Sequence, residues 1–367
     1  MTAPVIPNKA IAIIVYSIIK EGIDMKKKWK KRYIALILLL IIAAGGVLLR
    51  KPLTVLAFDL FLSDKVETTL QQKSYQPLTN EDNTVKPAPI AYKSDPFSVM
   101  LLGTDQRKTE TARSDTMIYA VVRPEDYKVL LISIPRDTYT EIIGHDGNKK
   151  DKITHAYAFG GQQMAKDTLE ALLGHDIQYY ATINFQGLKD TVDALGGLPL
   201  PIKKTIQNKG KDHEKFTIVG GKSLYSGEES LNYVRYREDS DFNRTKRQQV
   251  FLDVLANKML SLNQIGNVTE LLNIMGENFK TDMPPAMITG LAKKFLGGKE
   301  ADISSFTVMG EGTRIGGVYY DEINEEDLNK AKSMIDNWMN AATPVDQLIE
   351  PGKAGDALEA KATSAAQ

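Results

Sequence analysis

Four arginines fall within thirteen residues, Arg235, Arg237, Arg244 and Arg247, inside the stretch SGEESLNYVRYREDSDFNRTKRQQ from Ser226 to Gln249. Arginine presents a planar fork of N–H donors that pairs bidentately with phosphate, whereas lysine acts as a point charge. Ser226 followed by Glu229 is a capping box, so a helix should begin there with Leu231 and Val234 on its apolar side. Arg235 and Arg237 would point apart on a helix, which predicts that the backbone leaves helical geometry between them. Arg244 and Arg247 share one face of a second helix, with Gln248 beside Arg244. Arginines gathered around a helix start, whose free N–H groups also favour anions, suit a ligand with more than one phosphate. The competing reading is a solvated charged face in which Glu238, Asp239 and Asp241 neutralise the arginines.

Carboxylates supply the second kind of chemistry. The loop LGTDQRKTETARSDTM places Asp105 at the end of one strand and Asp115 just before the next, with Arg113 two residues away. Two carboxylates at adjacent strand ends can hold Mg²⁺ or take a proton from an attacking hydroxyl; ordinary loop polarity, with Asp115 capping locally, is the alternative. The strand VLLISI then runs into Pro135, Arg136 and Asp137, delivering an arginine where open α/β sheets place their ligands. A surface pair between Arg136 and Asp137 is the plainer account. The segment DKITHAYAFGG adds Lys152 as a further phosphate contact, together with His155, Tyr157 and a break at Gly160–Gly161.

These groups need elements to hold them. Phe97–Leu102, Thr116–Val122 and Lys128–Ile134 read as strands, and the short RPEDY joint, with Pro124 suited to a type I turn, makes the last two antiparallel. Ala165–Leu173 reads as a helix stopped by Gly174. Ile177, Tyr179, Ala181, Ile183 and Phe185 alternate with Gln178, Tyr180, Thr182 and Asn184 as, apart from Tyr180, a one-sided strand. Asn184 caps a helix carrying Leu188, Val192 and Leu195, closed by Gly196–Gly197. Val250, Val254, Leu255 and Met259 continue a long amphipathic helix, Ile303–Met309 supplies a late strand, and Asp327–Met339 a last helix. The pattern predicts an α/β domain, a three-layer α/β/α sandwich on a central mixed, largely antiparallel sheet.

The totals narrow the function. The 367 residues carry 46 basic and 46 acidic side chains, which does not suit a nucleic-acid partner. With no cysteine and four scattered histidines, thiolate chemistry is excluded and a zinc enzyme is not expected. There is no GxxxxGK phosphate loop. KKKWKKR at 26–32 precedes 17 uncharged residues, Tyr33–Leu49. This predicts an uncleaved single-pass anchor over 33–52 with the N-terminus in the cytoplasm and everything after it outside. Residues 1–32 form the cytoplasmic segment, of which 1–24 read as an upstream extension with Met25 the expected start. The proline-bearing, polar stretch 53–95 reads as a tether, with its first residues, Pro52–Leu62, extending the membrane contact. The catalytic domain is placed at 96–345, and 346–367 is read as a disordered tail.

LLGTD, RSDTM, LLISIPRDTY, KITHAYAFGG, YYATINFQGLKDTVDALGG and YVRYR followed by DF, R and RQQ stand in the order and spacing of one known family. From Phe97 to about Met259 the chain resembles the LytR-CpsA-Psr cell-wall glycopolymer ligases. The resemblance implies a membrane-anchored phosphotransferase. It would move an anionic glycopolymer, a teichoic acid or a capsular or secondary wall polysaccharide, from a polyprenyl-pyrophosphate carrier to peptidoglycan as a phosphodiester. It implies that Arg136, Arg235, Arg237 and Arg247, with Arg113, Arg244, Lys152 and Gln248 around them, bind the pyrophosphate. Asp105 and Asp115 would be the acidic pair associated with Mg²⁺ and with activating the acceptor hydroxyl, and Arg136 would share in catalysis. The Tyr179–Phe185 strand and the helices around Leu188 and Val254 form either a slot for the polyprenyl tail or plain core. Two rivals stand beside this reading: a hydrolase of the lipid pyrophosphate at the same site, and a non-enzymatic envelope regulator.

Overall fold

A computed structural model describes residues 50–78, 95–105, 113–209, 215–236, 241–259, 268–299 and 301–351. The chain divides into two compact units, residues 1–56 and 57–367. The sheet and the helices on it lie in the second. Helices α1 (Arg50–Phe61) and α2 (Ser63–Lys73) open the described chain.

Strands β1 (Phe97–Asp105), β2 (Arg113–Arg123) and β3 (Lys128–Ile134) are the three expected from their apolar runs, each longer than or equal to its expectation. A two-stranded ribbon, β4 (Tyr139–Glu141) with β5 (Lys150–Lys152), leads into helix α3 (Thr154–Leu173). Strand β6 (Tyr179–Asn184) is followed directly by α4 (Phe185–Ala194), and a second ribbon pairs β7 (Ile206–Asn208) with β8 (Phe216–Ile218). Then come α5 (Gly227–Arg235), α6 (Asp241–Met259), α7 (Val268–Asn278), β9 (Phe279–Thr281) and α8 (Pro285–Gly297). Strand β10 (Asp302–Thr307), the hairpin β11 (Gly310–Ile315) and β12 (Val318–Ile323), and helix α9 (Glu325–Met339) complete the domain.

The sheet runs β10-β3-β2-β1-β6-β9. Three of its pairings are antiparallel and two, β1 with β6 and β10 with β3, are parallel. It is therefore mixed, as expected. Four strands (β1, β3, β6 and β10) end on one edge and β2 begins there, so that edge gathers the loops.

Both faces are covered. Met100, Leu102, Met117, Tyr119, Ile132 and Ile134 pack on one side against α3 and α9. Val99, Ile118, Ala120, Leu131 and Tyr179 pack on the other against Leu252 of α6 and Met287 of α8. The two-sided cover corrects the reading of β6 as a one-sided strand. Thr182, on the expected polar face, is buried, as is Tyr180, the exception expected there, whose hydroxyl donates to the Gln76 carbonyl at 2.6 Å. A third cluster joins α4, α5 and α6 through Val192, Leu231, Tyr233 and Phe251.

Local signals fixed several element ends. Asn184 accepts from the Gly187 N–H at 2.8 Å, and Ser226 and Glu229 make the full reciprocal capping box. Gly174 closes α3 in left-handed conformation, φ 70°. The helix breaks internally at Gly160–Gly161, where φ reaches 62° at the second glycine.

The tether expected over 53–95 is corrected for its first part. Residues 50–73 are helical, and α2 docks on the domain through buried Val66 and Leu70. Gln76 N–H then donates to the Thr281 carbonyl at 2.7 Å, and Thr281 N–H to Ser74 at 3.0 Å, extending the sheet edge at β9. Polarity misled the sequence reading here, because a helix needs only one apolar stripe to dock. At the other end the domain passes the expected boundary of 345: Leu348 is buried and the Trp338 indole donates to the Ile349 carbonyl at 3.0 Å. The expected anchor falls almost wholly outside the described residues, as do segments 1–24, 79–94 and 352–367. No helix among the described residues is long and apolar enough to cross a membrane.

Candidate active site

The edge where β1, β3, β6 and β10 end carries the predicted chemistry. Residue pairing between β1 and β2 shows how. Gly103 faces Thr116 and Thr104 faces Ser114, so Asp115 is the extra residue of a β-bulge. Bulges re-aim a side chain at a sheet rim. Here the bulge turns Asp115 to Arg136, which follows β3: Arg136 Nη1 donates to Asp115 Oδ1 at 2.6 Å.

Arg136 also donates through Nε to Asp137 Oδ2 at 3.2 Å, and Lys152 Nζ donates to Asp137 Oδ1 at 2.7 Å. The result is a chain of alternating charges, Asp115, Arg136, Asp137 and Lys152. Burial works against the charge on Arg136, but Asp115 and Asp137 outweigh it and hold its pKa above the usual arginine value. Burial likewise opposes ionisation of Asp137, and Arg136 and Lys152 outweigh it, holding its carboxyl below the usual carboxylate range. Asp137, at 6% exposure, is thus a buried bridge and not half of a surface pair.

Backbone bonds lock this chain in place. Thr154 N–H donates to the Arg136 carbonyl at 3.2 Å and its hydroxyl to the Ser114 carbonyl at 2.7 Å. Asp321 N–H donates to the Asp137 carbonyl at 2.9 Å, bringing the β11–β12 hairpin alongside. Its Tyr319 and Tyr320 rings lie 6.0 and 5.6 Å from Lys152 Nζ. Sequence reading missed this hairpin, although Gly316–Gly317 within RIGGVYYDEI is a two-residue turn signal, and both glycines have positive φ.

An apolar cavity of about 180 Å³ lies beneath the same edge. Leu101, Gly103, Ile118 and Ala181 of the sheet line it, with Phe185 and Leu188 of α4, Val234 of α5, and Gln248 and Phe251 of α6. Of the two accounts left open for these residues, the structure shows a hollow. Val254 and Tyr179 are exceptions: Val254 packs in the α4–α5–α6 cluster and Tyr179 in the core of the sheet, and neither lines the cavity.

Two helix arginines, Arg235 and Arg247, each adjoin a residue of the cavity lining, Val234 and Gln248. Arg235, the last residue of α5, lies over the Phe185 ring at 5.2 Å, and Arg247 over the Tyr236 ring at 5.0 Å. Arg247 also donates to the Tyr236 carbonyl. The helix does end at Arg235, with Tyr236 extended, as the opposed arginines required. Arg244 and Arg247 are buried, on the same helix as Gln248, while Gln249 Nε2 donates to Thr307 Oγ1 at the end of β10 at 2.9 Å. Arg237 and the side chain of Arg113 lie outside the described residues. The structure therefore joins Asp115, Arg136 and Lys152 in one chain through Asp137, and sets Gln248 in the cavity wall with Arg235 and Arg247 each next in sequence to a lining residue.

Asp105 ends β1 opposite Arg113, on the last rung of the same strand pair. Mg²⁺ is commonly held by one or two carboxylates, with water and substrate phosphates filling the other positions. Asp105, at the end of β1, and Asp115, at the bulge of β2, are the two carboxylates that this end of the strand pair offers. No group of three or more histidines, aspartates or glutamates able to hold an ion occurs among the described residues.

Comparison with known proteins decides the family. The LytR_cpsA_psr family model matches residues 62–337. The chain belongs to this family. A polyisoprenyl-teichoic acid–peptidoglycan teichoic acid transferase TagU from Enterococcus faecalis is 37% identical over 254 residues, 67% of this chain and 80% of that protein. Among solved structures, TagV of Bacillus subtilis superposes with a TM-score of 0.59 at 27% identity, covering 68% of this chain and all of that one. TagT bound to LIIa-WTA superposes with a TM-score of 0.53 at 27% identity, covering 71% and 99%.

Proposed function

We propose that this LytR_cpsA_psr protein is a phosphotransferase that moves a teichoic-acid-type anionic glycopolymer from a polyprenyl-pyrophosphate carrier to a peptidoglycan hydroxyl. The observation that carries this reading is an apolar cavity with arginines next to its lining: Arg235 lies over the lining Phe185 ring, Arg247 precedes the lining Gln248 on α6, and the sheet edge above bears Arg136. A lipid pyrophosphate has that same division, an apolar tail next to two phosphates. The name of the Enterococcus relative and the ligand of TagT support the glycopolymer as cargo.

Phosphoryl transfer asks chiefly for positioning and for neutralising charge spread over phosphate oxygens. Arg136 is built for the second task, because its charge is held firmly and its position is set by two carboxylates. Arg235, Arg237 and Arg247, with Arg113, Arg244, Lys152 and Gln248, complete the pyrophosphate contacts in this reading. Mg²⁺, on Asp105 and Asp115, would supply further neutralisation of the phosphates.

The location proposed is the outer face of the cell membrane, with the segment 33–52 as a single-pass anchor. Exposed Leu53, Leu56, Leu60 and Phe61 on α1 support a membrane surface close to this end of the chain. Reporter fusions after residue 52 that are active only in the cytoplasm would refute that topology.

The test of function uses the full chain in detergent with a polyprenyl-pyrophosphate-linked glycan, purified peptidoglycan and Mg²⁺. Lipid phosphate release and glycan attachment are followed together. Wild type is expected to do both, and Arg136→Ala to lose both by about a hundredfold or more. Release without attachment would make the protein a hydrolase, and donor binding without turnover would favour the regulatory reading.

A further inference from the structure

Asp151 and His155 take no part in the pyrophosphate contacts, yet they are built into the same site. Residue 155 follows Thr154, whose backbone and hydroxyl bind the carbonyls of Arg136 and Ser114. His155 thus stands one residue along the chain from Thr154, which is bonded both to the start of β2 beside Asp115 and to Arg136 after the end of β3. Its Nδ1 lies 2.8 Å from Asp151 Oδ2. Asp151 is the residue before Lys152, which closes the Asp115–Arg136–Asp137 chain. Burial opposes the charge on Asp151, but the hydrogen bonds from His155 and from the Lys152 N–H outweigh it and keep the carboxyl below its usual range.

One helical turn on, Phe159 stacks on His145 with ring centroids 3.9 Å apart and 14° between planes. Its ring lies 5.7 Å from His155 and is 45% exposed. The C–H face of a pyranose packs against the negative face of an aromatic ring. An exposed, orientationally fixed ring beside a histidine–carboxylate pair is thus suited to a sugar that offers a hydroxyl to the histidine.

We propose that His155, oriented by Asp151, is the base that takes the proton from the acceptor hydroxyl, and that Phe159 is the shelf for the acceptor sugar. This deepens the transferase reading above and rests on it. Asp137 has both carboxylate oxygens engaged, by Arg136 and by Lys152, so a proton taken up there would have to displace one of them. A carboxylate on Nδ1 places the ring proton there and leaves Nε2 to receive one. The balance is simple. The acceptor O–H proton passes to Nε2, and the oxygen bonds to the phosphorus that carries the glycopolymer. The bond from that phosphorus to the bridging oxygen breaks, and polyprenyl monophosphate leaves with the electron pair. Asp151 stabilises the imidazolium, which returns its proton to water. The charged and titratable groups facing the pair are Lys152 of β5, Tyr320 of β12 and, across Phe159, His145.

The experiment uses the full chain in detergent with the same donor and peptidoglycan, and measures kcat, KM for each substrate and the pH profile. His155→Gln should lower kcat for transfer by about a hundredfold or more with donor affinity unchanged, and should remove the acid limb of the profile. Added imidazole should restore part of the activity of His155→Ala. Phe159→Ala should raise KM for peptidoglycan and leave KM for the donor alone. Transfer by His155→Gln within about twofold of wild type, with the same profile, would overturn the assignment. So would an inactive His155→Ala that binds donor normally and gains nothing from imidazole. A wild type that binds donor and attaches no glycan refutes the transferase reading itself, and this assignment with it.

Discussion

The two faces of the central sheet are built from the same kinds of residue and finished differently. On the face under α3 and α9, Tyr119, Met117, Ile132, Met334 and Trp338 are 1% exposed or less and close against one another. On the face under α4, α5 and α6, Leu101, Ile118, Ala181 and Leu252 leave a cavity of about 180 Å³. Protein interiors normally pack to crystal density, so a hollow on one face beside a sealed core on the other is where the proposed ligand would fit. Even the charged groups differ. Arg123 on the sealed side is buried and serves structure, donating to the carbonyls of Trp338, Asn340 and Thr343. On the open side Arg235 lies over Phe185, which lines the cavity, and Arg247 over Tyr236.

If this contrast is right, the two faces respond oppositely to changes of volume. Trp338→Ala should cost about 3–5 kcal/mol in denaturant unfolding and leave donor affinity per folded molecule unchanged. A loss under about 1 kcal/mol would mean that the sealed face is not sealed. Ala181→Leu, on the open face, adds volume where there is room. Its stability should change by less than about 1.5 kcal/mol while donor affinity falls tenfold or more. Equal destabilisation by both substitutions would erase the distinction between the faces.

A smaller effect separates the charge chain at the sheet edge from the apolar faces. Asp137 has its pKa held below the unfolded carboxylate value, so it contributes stability that is present above about pH 4 and lost as pH falls through its folded value. Thermal unfolding between about pH 2 and 5 should therefore show a steeper decline for wild type than for Asp137→Asn, which lacks the titrating group. Parallel curves would show that Asp137 does not link folding to acid.

Much of this was legible because its signals are local. Asn184, Ser226 with Glu229, and Gly174 announce element ends through hydrogen bonds or backbone angles involving only a few neighbouring residues. The apolar runs of β1, β2 and β3 announce themselves by composition. What escaped depends on distant pairing. The three-residue strands β4, β5, β7, β8 and β9 are too short to show a period. The bulge that aims Asp115 exists only in the register between β1 and β2. Asp137 reads like half of a surface pair until β12 and Lys152 enclose it, and Arg123 reads like any arginine. The site residues were recognised by type and spacing, while the hollow beside them follows from how β6 and three helices fail to meet, which no window of sequence contains.

The central claim, that the cavity takes the lipid tail of a pyrophosphate-linked donor, is tested most directly by a binding cycle. Affinity would be measured for donors with a long and a truncated polyprenyl chain, on wild type and on Ala181→Leu. Each buried methylene contributes about 0.8 kcal/mol, so truncation that empties the cavity should weaken binding to wild type by a hundredfold or more. The account predicts that truncation and Ala181→Leu are not additive, because both act on the same space. Full additivity, or equal affinity for the two donors on wild type, would place the tail elsewhere and contradict it.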